Sequence, residues 1–215
     1  MKYKSLLFFT EEGKKVYSNM KPGETIIMVR SDADVEGVDP EILFDLITNP
    51  VERKKWDNNL VKAEILETYS PVLELFLAEI SAPFPMSNRD ILQLRYKIIS
   101  EKHKEYIEKY NLWKTDAKYW MTITKSVEHP KYPPNKKVVR AEMKLGGIVL
   151  TQDKENPKKV HITVLIFNDV KGALPDSIMN KIVLKGCTKF YDNILAYYKK
   201  TYPSKDEQKT EAKSI

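Results

Sequence analysis

The chain has 215 residues, of which 42% are hydrophobic and 31% charged, and it carries a formal net charge of +6 at pH 7. This length and composition predict one domain with a substantial buried core. No run of about 18 apolar residues and no signal-peptide pattern is present, which argues against a membrane span and a secretory leader. We therefore expect a cytoplasmic protein, or an exported or organelle-targeted one if an N-terminal segment has been removed.

Cysteine and histidine usage argues against two further classes of protein. The single cysteine, Cys187, excludes an internal disulfide. The three histidines, His103, His129 and His161, show no metal-ligand spacing, so we expect neither a metal nor another cofactor. The basic charge favours a phosphate-bearing partner. Because the basic residues are widely spread and no aromatic-rich motif accompanies them, we expect transient contact with a membrane surface and no nucleic-acid partner.

In chain order, the predicted elements are one strand, two short helices, a series of strands and one long helix. The run "GETIIMVRS" predicts a strand, and "DPEILFDLITNPVERKKWDNNL" predicts two short helices separated at Asn49-Pro50. Runs rich in Val, Ile, Leu, Tyr and Thr then predict strands over 61–69, 73–80, 89–100, 105–111, 119–127, 138–145, 148–152 and 159–168. A long helical period returns over 174–200. This order predicts an α+β domain in which helices bracket an antiparallel sheet, over residues 1–201, with a polar, disordered tail over 202–215.

The last predicted helix has one broad apolar side. That side carries Met179, Ile182, Val183, Cys187, Phe190, Ile194, Tyr197 and Tyr198, whereas Lys181, Lys185, Lys189, Asp192 and Lys199 lie opposite. Such a helix either packs flat on a sheet or covers an apolar cavity. Gly186 in its middle indicates close packing or a place to bend.

The second short helix brings a charged pair and a tryptophan onto one stripe. Arg53, Trp56, Asp57 and Leu60 follow one another at i, i+3, i+4 and i+7. One interpretation is a structural ion pair. The other is an arginine that Asp57 holds inside a cavity, where its planar fork of donors binds a phosphate or another polar head group.

Four stretches occur in an order that resembles the START domain, a family of lipid-transfer domains. They are "ERKKWDNNL", "APFPMSNRDILQLRY", "KSVEHPKYPPNKKVVRAEMKLGGIVL" and "FNDVKGALPDSIMNKIVLKGCTKFYDNIL". The similarity covers residues 16 to 200 approximately, and the loop "PFPMSNRD" is most like that of the members that transfer phosphatidylcholine. The resemblance implies a helix-grip fold, in which a curved antiparallel sheet of eight or nine strands wraps around the long C-terminal helix and encloses a lipid tunnel.

The resemblance also implies roles for particular residues. Arg53 matches the arginine that binds the lipid phosphate and Asp57 the aspartate that partners it, while Met179, Ile182, Val183 and Phe190 would form the lid and tunnel wall. Gln93 and Arg95 share one strand face and either line the cavity or face solvent, whereas Arg89-Asp90 is interpreted as structural. Positions of the aromatic cage that binds choline fall on Ala78, Ile91 and Lys144, so a phosphate-directed protein with a broad head-group range is expected.

The implied function is the binding of one phospholipid per protein and its transfer between membranes, by a monomer that is peripheral at membranes and is not an enzyme. Three alternatives stay open at this point. The protein could bind a sterol, it could sense a lipid without moving it, or it could be a cavity hydrolase that uses Cys187 as its nucleophile.

Overall fold

The computed structural model describes residues 6–11, 13–18, 24–113, 115–172 and 176–203, with side chains described over 13–18, 24–113, 115–172 and 186–203. The strands are β1 Leu6–Glu11, β2 Lys14–Ser18, β3 Ile26–Glu36, β4 Leu60–Ser70, β5 Leu73–Ile80, β6 Arg89–Ile99, β7 Tyr119–Ser126, β8 Val139–Arg140, β9 Glu142–Gln152 and β10 Lys159–Asp169. The helices are α1 Pro40–Thr48, α2 Pro50–Arg53, α3 Lys104–Lys109 and α4 Asp176–Thr201. Among these described helices, none is long and apolar enough to cross a bilayer.

The strands form one curved sheet in the order β1-β2-β3-β10-β9-β7-β6-β5-β4, and all neighbours in this path are antiparallel. The short β8 pairs in parallel with the start of β6. The chain therefore runs outward from β3 to the β4 edge and returns through β9 and β10 to the middle of the sheet. This topology and the long C-terminal helix confirm the predicted α+β helix-grip fold.

A close approach between β7 and β9 depends on glycine. A Cβ atom on Gly147 would lie 2.2 Å from the carbonyl oxygen of Thr122, which is backbone and has no rotamer that avoids it. No residue with a side chain fits at this position without moving one strand. The pair Gly146-Gly147 therefore lies inside β9, where it allows tight packing rather than ending the strand.

The first two helices begin and end where capping chemistry places them. Asp39 accepts hydrogen bonds from the amides of Glu41 and Ile42 at 2.8 and 3.1 Å, and Pro40 occupies the first turn of α1. Asn49 ends α1 and caps α2 through the amide of Val51, which confirms the predicted break at Asn49-Pro50.

Four predictions about the elements are wrong in detail. The second helix ends at Arg53 instead of continuing towards Leu60, which begins β4. The predicted strand 105–111 lies largely in the short helix α3, because Tyr106 and Ile107 are partly buried together against the cluster around Tyr119. In place of the two strands predicted over 138–145 and 148–152, the structure has the short β8 and one long strand, β9. The strand predicted at "GETIIMVRS" is β3, which begins at Ile26 and extends to Glu36. Strands β1 and β2 were not predicted.

The main core lies between the sheet, α1 and the C-terminal half of α4. Tyr191 and Ile194 of α4 are fully buried in it, and Cys187 and Tyr198 are buried as predicted. Two hydroxyls fix the helix to the sheet and to α1: Tyr191 lies 2.9 Å from the Ser31 hydroxyl, and Tyr198 accepts a hydrogen bond from the Asp39 amide at 2.8 Å. Most of the predicted tail, residues 204–215, falls outside the described residues.

Candidate functional site, a cavity between the sheet and the last helix

An apolar cavity of about 390 Å³ lies between the inner face of the sheet and α4. Its walls come from β3, β5, β6, β7, β9, β10, the segment after α1 and the middle of α4. The apolar part of the lining includes Ile27, Val29, Ile47, Phe76, Ala78, Ile80, Ile91, Ile148, Val164, Ile166, Cys187 and Phe190. A concave, mostly apolar pocket with a few polar groups is typical of a small-molecule site.

The predicted pair Arg53 and Asp57 lines this cavity. The guanidinium of Arg53 donates through Nε to Asp57 Oδ2 at 3.0 Å, and its Nη2 lies 2.9 Å from the same oxygen. The other carboxylate oxygen of Asp57 accepts from the amide of Asn59 at 3.2 Å. Because α2 ends at Arg53, the pair is formed across the turn that follows the helix rather than along a helical stripe. Trp56 does not share the cavity: it is buried in the core, and its indole donates to the carbonyl of Leu46 at 2.8 Å.

A second arginine and carboxylate pair lies beside the same cavity. Arg95, which lines it, donates through Nε to Glu74 Oε1 at 2.5 Å, and the two side chains are only 5% and 11% exposed. Burial lowers the pKa of Arg95, while the charge and hydrogen bond of Glu74 raise it. The guanidinium carbon also lies 3.8 Å from the ring centre of Phe76, a cation-π contact. The structure therefore puts the Arg95 side chain on the cavity side of β6 and not in solvent.

Gln93 lies on the same inward row of β6 and also lines the cavity. Thr122 and Thr124 of β7 add hydroxyl groups to the wall. The polar side chains that line the cavity thus come from many elements: besides Arg53 and Asp57 and the inner rows of β6 and β7, they include Ser31 of β3, Asn168 of β10 and Asn193 of α4.

The last helix contributes Gly186, Cys187, Phe190 and Asn193 to the wall, so Phe190, one of the predicted lid residues, lines the cavity. The side chains of Met179, Ile182 and Val183 fall outside the described residues, so their place in the lid stays a prediction. Phe190 packs edge-on against Trp56, with ring centres 5.4 Å apart.

Aromatic residues are scarce in the described lining. Phe76 and Phe190 are its aromatic members, and Ala78 and Ile91 occupy two of the expected cage positions. Lys144, at the third, is paired with Glu142 at 3.4 Å. One face of Phe76 is covered by Arg95, so the described residues build no aromatic cage for a quaternary ammonium.

Cys187 is poorly suited to act as a nucleophile. Burial raises its pKa to about 11, so the thiol is protonated at neutral pH. None of the three histidines belongs to the described lining of the cavity, where a general base for this thiol would have to lie.

Glu74 is the acidic residue of the second pair, and sequence analysis did not identify it. The alternation in β5 points Glu74, Phe76, Ala78 and Ile80 to one face of the strand, and the register pairs Glu74 with Arg95. Because Glu74 lies two residues before Phe76, the alternation of the strand places its carboxylate on the same inner face as the Phe76 ring.

The loop between β5 and β6, residues 81–88, borders the cavity. Ser81 and Ala82 line the cavity, as do Arg89 and Val170, and we call the part of the wall that these four residues form the loop end. Arg89 donates to the carbonyl oxygens of Val170 and Lys171 at 3.4 and 3.3 Å, which ties this loop to the one after β10. Asp90 pairs with Arg140 at 2.8 Å, so Arg89 and Asp90 both hold neighbouring segments together.

A family model described as the START domain matches residues 5–201. Human START domain-containing protein 10 is 29% identical over 164 residues, which are 74% of this chain and 50% of that protein. Mouse phosphatidylcholine transfer protein is 23% identical over 171 residues, 78% of this chain and 72% of that protein. The chain thus spans about half the length of the human relative.

Two solved structures have the same fold. The crystal structure of human STARD10 matches with a TM-score of 0.72 and 26% identity, over 92% of this chain and 76% of that one. Human StAR-related lipid transfer protein 5 matches with a TM-score of 0.75 and 21% identity, over 92% of this chain and 88% of that one.

Proposed function

The chain belongs to the START-domain family, and on that premise we propose that it binds one phospholipid in the cavity and carries it between membranes. The observation that carries the proposal is the cavity itself, which combines apolar walls from most of the sheet with two arginine and carboxylate pairs. The apolar walls can bury acyl chains, and the planar guanidinium groups of the arginines can bind a phosphate through paired hydrogen bonds.

The energetics of lipid escape explain why a carrier needs such an enclosed space. Each methylene transferred into water costs about 0.8 kcal/mol, so a two-chain phospholipid that leaves a bilayer unaided faces a cost on the order of 20 kcal/mol. A protein that buries the acyl chains against Ile, Val and Leu side chains removes most of this cost. Exchange then requires only that one end of the cavity open at a membrane.

We propose that the loop end is the part that docks. Phe84 at the tip of loop 81–88 is 96% exposed, which is unusual for so apolar a side chain. Lys136, Lys137 and Lys171 are exposed on the two neighbouring segments, which connect to this loop through the Val139 amide and through Arg89. An exposed aromatic ring next to lysines suits the interface of an anionic membrane, where each lysine contributes about 1 kcal/mol.

We also propose that the carrier is monomeric, peripheral at membranes, cytoplasmic and without enzyme activity. The protonated thiol of Cys187 and the position of the histidines away from the described cavity lining argue against a hydrolase. A lipid sensor would need the same cavity as a carrier. A transfer assay separates the two, because only a carrier speeds the exchange of lipid between vesicles.

The experiment that tests the proposal is fluorescent phospholipid transfer between donor and acceptor vesicles, with Arg53→Gln and the matched control Lys55→Gln. Both variants remove one positive charge from the same stretch of chain, but Lys55 is exposed and pairs with Glu52 at the surface. We expect at least tenfold slower transfer for Arg53→Gln, because a charge-assisted hydrogen bond contributes about 1.5–3 kcal/mol, and little change for the control. Equal rates in both variants, with thermal stability retained, would exclude Arg53 from the site; no transfer by the unmodified protein would exclude a carrier.

Docking has its own test by sedimentation with vesicles that contain phosphatidylserine. Phe84→Ser should weaken association, whereas Tyr110→Ser, which removes a 53% exposed aromatic ring just after α3, should not. Equal loss in both variants would mean that surface aromaticity in general, and not the loop end, drives binding.

A further inference from the structure

Two polar atoms beside the cavity have unmet hydrogen-bonding capacity. Gln93 Oε1 and Arg95 Nη2 are buried and have no hydrogen-bond partner among the described groups. The two residues are only 6% and 4% exposed, and both line the cavity. Nη2 does lie 2.5 Å from Glu74 Oε1, but the hydrogen bond to that oxygen is made by Nε. Buried polar groups are nearly always satisfied, so this pair points to a ligand.

The two atoms need opposite kinds of hydrogen-bond partner. The guanidinium nitrogen carries two N–H donors and has one carboxylate oxygen beside it, so it can still donate to a further acceptor, for which a phosphate oxygen is well suited. The amide oxygen is an acceptor and needs an N–H or O–H donor. Rotation about the last torsion of a glutamine side chain is soft, so the amide can turn its oxygen towards such a donor. Residues two apart on one strand face are separated by about 6.6 Å, a spacing that suits a phosphate and an ammonium joined by a two-carbon link.

The charges around the cavity favour a head group without net charge. Arg53 and Arg95 are balanced by Asp57 and Glu74, which are their partners at 2.9 and 2.5 Å. A lipid with a net negative head group would leave an uncompensated charge next to a largely buried site, which is unfavourable. A zwitterion adds one charge of each sign.

The described lining of the cavity also lacks the groups that a quaternary ammonium needs. Trimethylated nitrogen has no N–H to offer Gln93, and it is usually recognised by several aromatic faces. Among the described lining residues the aromatic side chains are Phe76 and Phe190; Arg95 covers one face of Phe76, and Phe190 packs edge-on against Trp56 and Tyr191. The polar groups present therefore match an ammonium that still carries hydrogen.

We propose that the head group held here is a phosphate linked to an N–H-bearing ammonium, as in phosphatidylethanolamine, with Arg95 on the phosphate and Gln93 on the ammonium. This proposal rests on the proposed function, since it assigns a head group to the same cavity. It makes Gln93 the residue that separates ethanolamine from choline head groups.

The test is a transfer assay with four lipids of identical acyl chains: phosphatidylethanolamine, its monomethyl and dimethyl derivatives, and phosphatidylcholine. One N–H is enough to satisfy Gln93, so the first three should be transferred at similar rates and the fourth about tenfold more slowly, as the loss of one buried hydrogen bond implies. Gln93→Met keeps the length of the side chain but has no amide, so it should remove the difference in transfer rate between phosphatidylcholine and the other three lipids. Because the series uses the unmodified protein, the proposal can be judged even if Gln93→Met does not fold.

The remaining outcomes are distinguishable. Equal transfer of all four lipids, or faster transfer of phosphatidylcholine, would overturn the head-group proposal and leave the carrier function standing. A gradual decline with each methyl group that persists in Gln93→Met would also overturn it, since size and not hydrogen bonding would then set the preference. Transfer of none of the four would overturn both proposals.

Discussion

Removal of the Glu74 carboxylate should be among the most damaging conservative changes in this protein. Glu74→Gln keeps the shape of the side chain but leaves the guanidinium of Arg95 charged, buried and without its counter-ion. The two side chains are 11% and 5% exposed and in direct contact at 2.5 Å, which puts the pair in the buried class. Loss of one partner of a buried pair costs about 3–5 kcal/mol, so we expect the free energy of unfolding to fall by that amount.

The assay is urea denaturation followed by tryptophan fluorescence, because Trp56 and Trp120 are both buried in the native state. The control is Glu64→Gln in the neighbouring strand, where Glu64 pairs with Lys62 at 2.8 Å but both side chains are 47% exposed. An exposed pair contributes at most about 1 kcal/mol. Similar losses in the two variants would contradict this prediction, because they would mean that the Arg95 charge has access to water.

A second prediction from the same pair concerns the double variant Glu74→Met with Arg95→Met, which should recover most of the lost stability because no unpaired charge remains. Gly147→Ala should lower stability by about 1–3 kcal/mol in the same assay, since its methyl group meets the Thr122 carbonyl. Tyr198→Phe should cost about 1 kcal/mol, because the Asp39 amide loses its acceptor. Burial raises the pKa of Cys187 from 9.0 to about 11, so the unfolded chain ionises first and this thiol should lower stability by about 3 kcal/mol as the pH rises from 9 to 11, a contribution to the pH slope that Cys187→Ala removes.

The elements that sequence analysis predicted well are those with a local physical cause. Pro50 cannot continue α1, and the caps at Asp39 and Asn49 depend on neighbouring residues only, so the helix break was correctly located. The strong 3.6-residue period of the last helix likewise predicted the buried positions of Cys187 and Ile194.

The errors arise where local pattern and tertiary contact disagree. The segment around Tyr106 and Ile107 has the composition of a strand, but it forms the helix α3 and packs beside Tyr119. Gly146-Gly147 reads as a turn, yet it is a place where two strands approach too closely for a side chain. In both cases the deciding partner is distant in sequence.

The candidate site was predictable only in part for the same reason. The spacing of Arg53 and Asp57 made their pairing visible, since both belong to one short stretch. Whether Gln93 and Arg95 face the cavity or solvent depended on which face of β6 is covered, and the sequence left both readings open. Glu74 enters the site through a register between two strands, and that register is a property of the fold.

The most direct test of the central claim is native mass spectrometry of the protein after incubation with liposomes of mixed lipids, followed by identification of the released ligand. We expect one phospholipid per chain, with phosphatidylethanolamine enriched over phosphatidylcholine relative to the liposomes. A folded protein that carries no lipid, or one that carries only sterol, would contradict the claim that this cavity is built for a phospholipid.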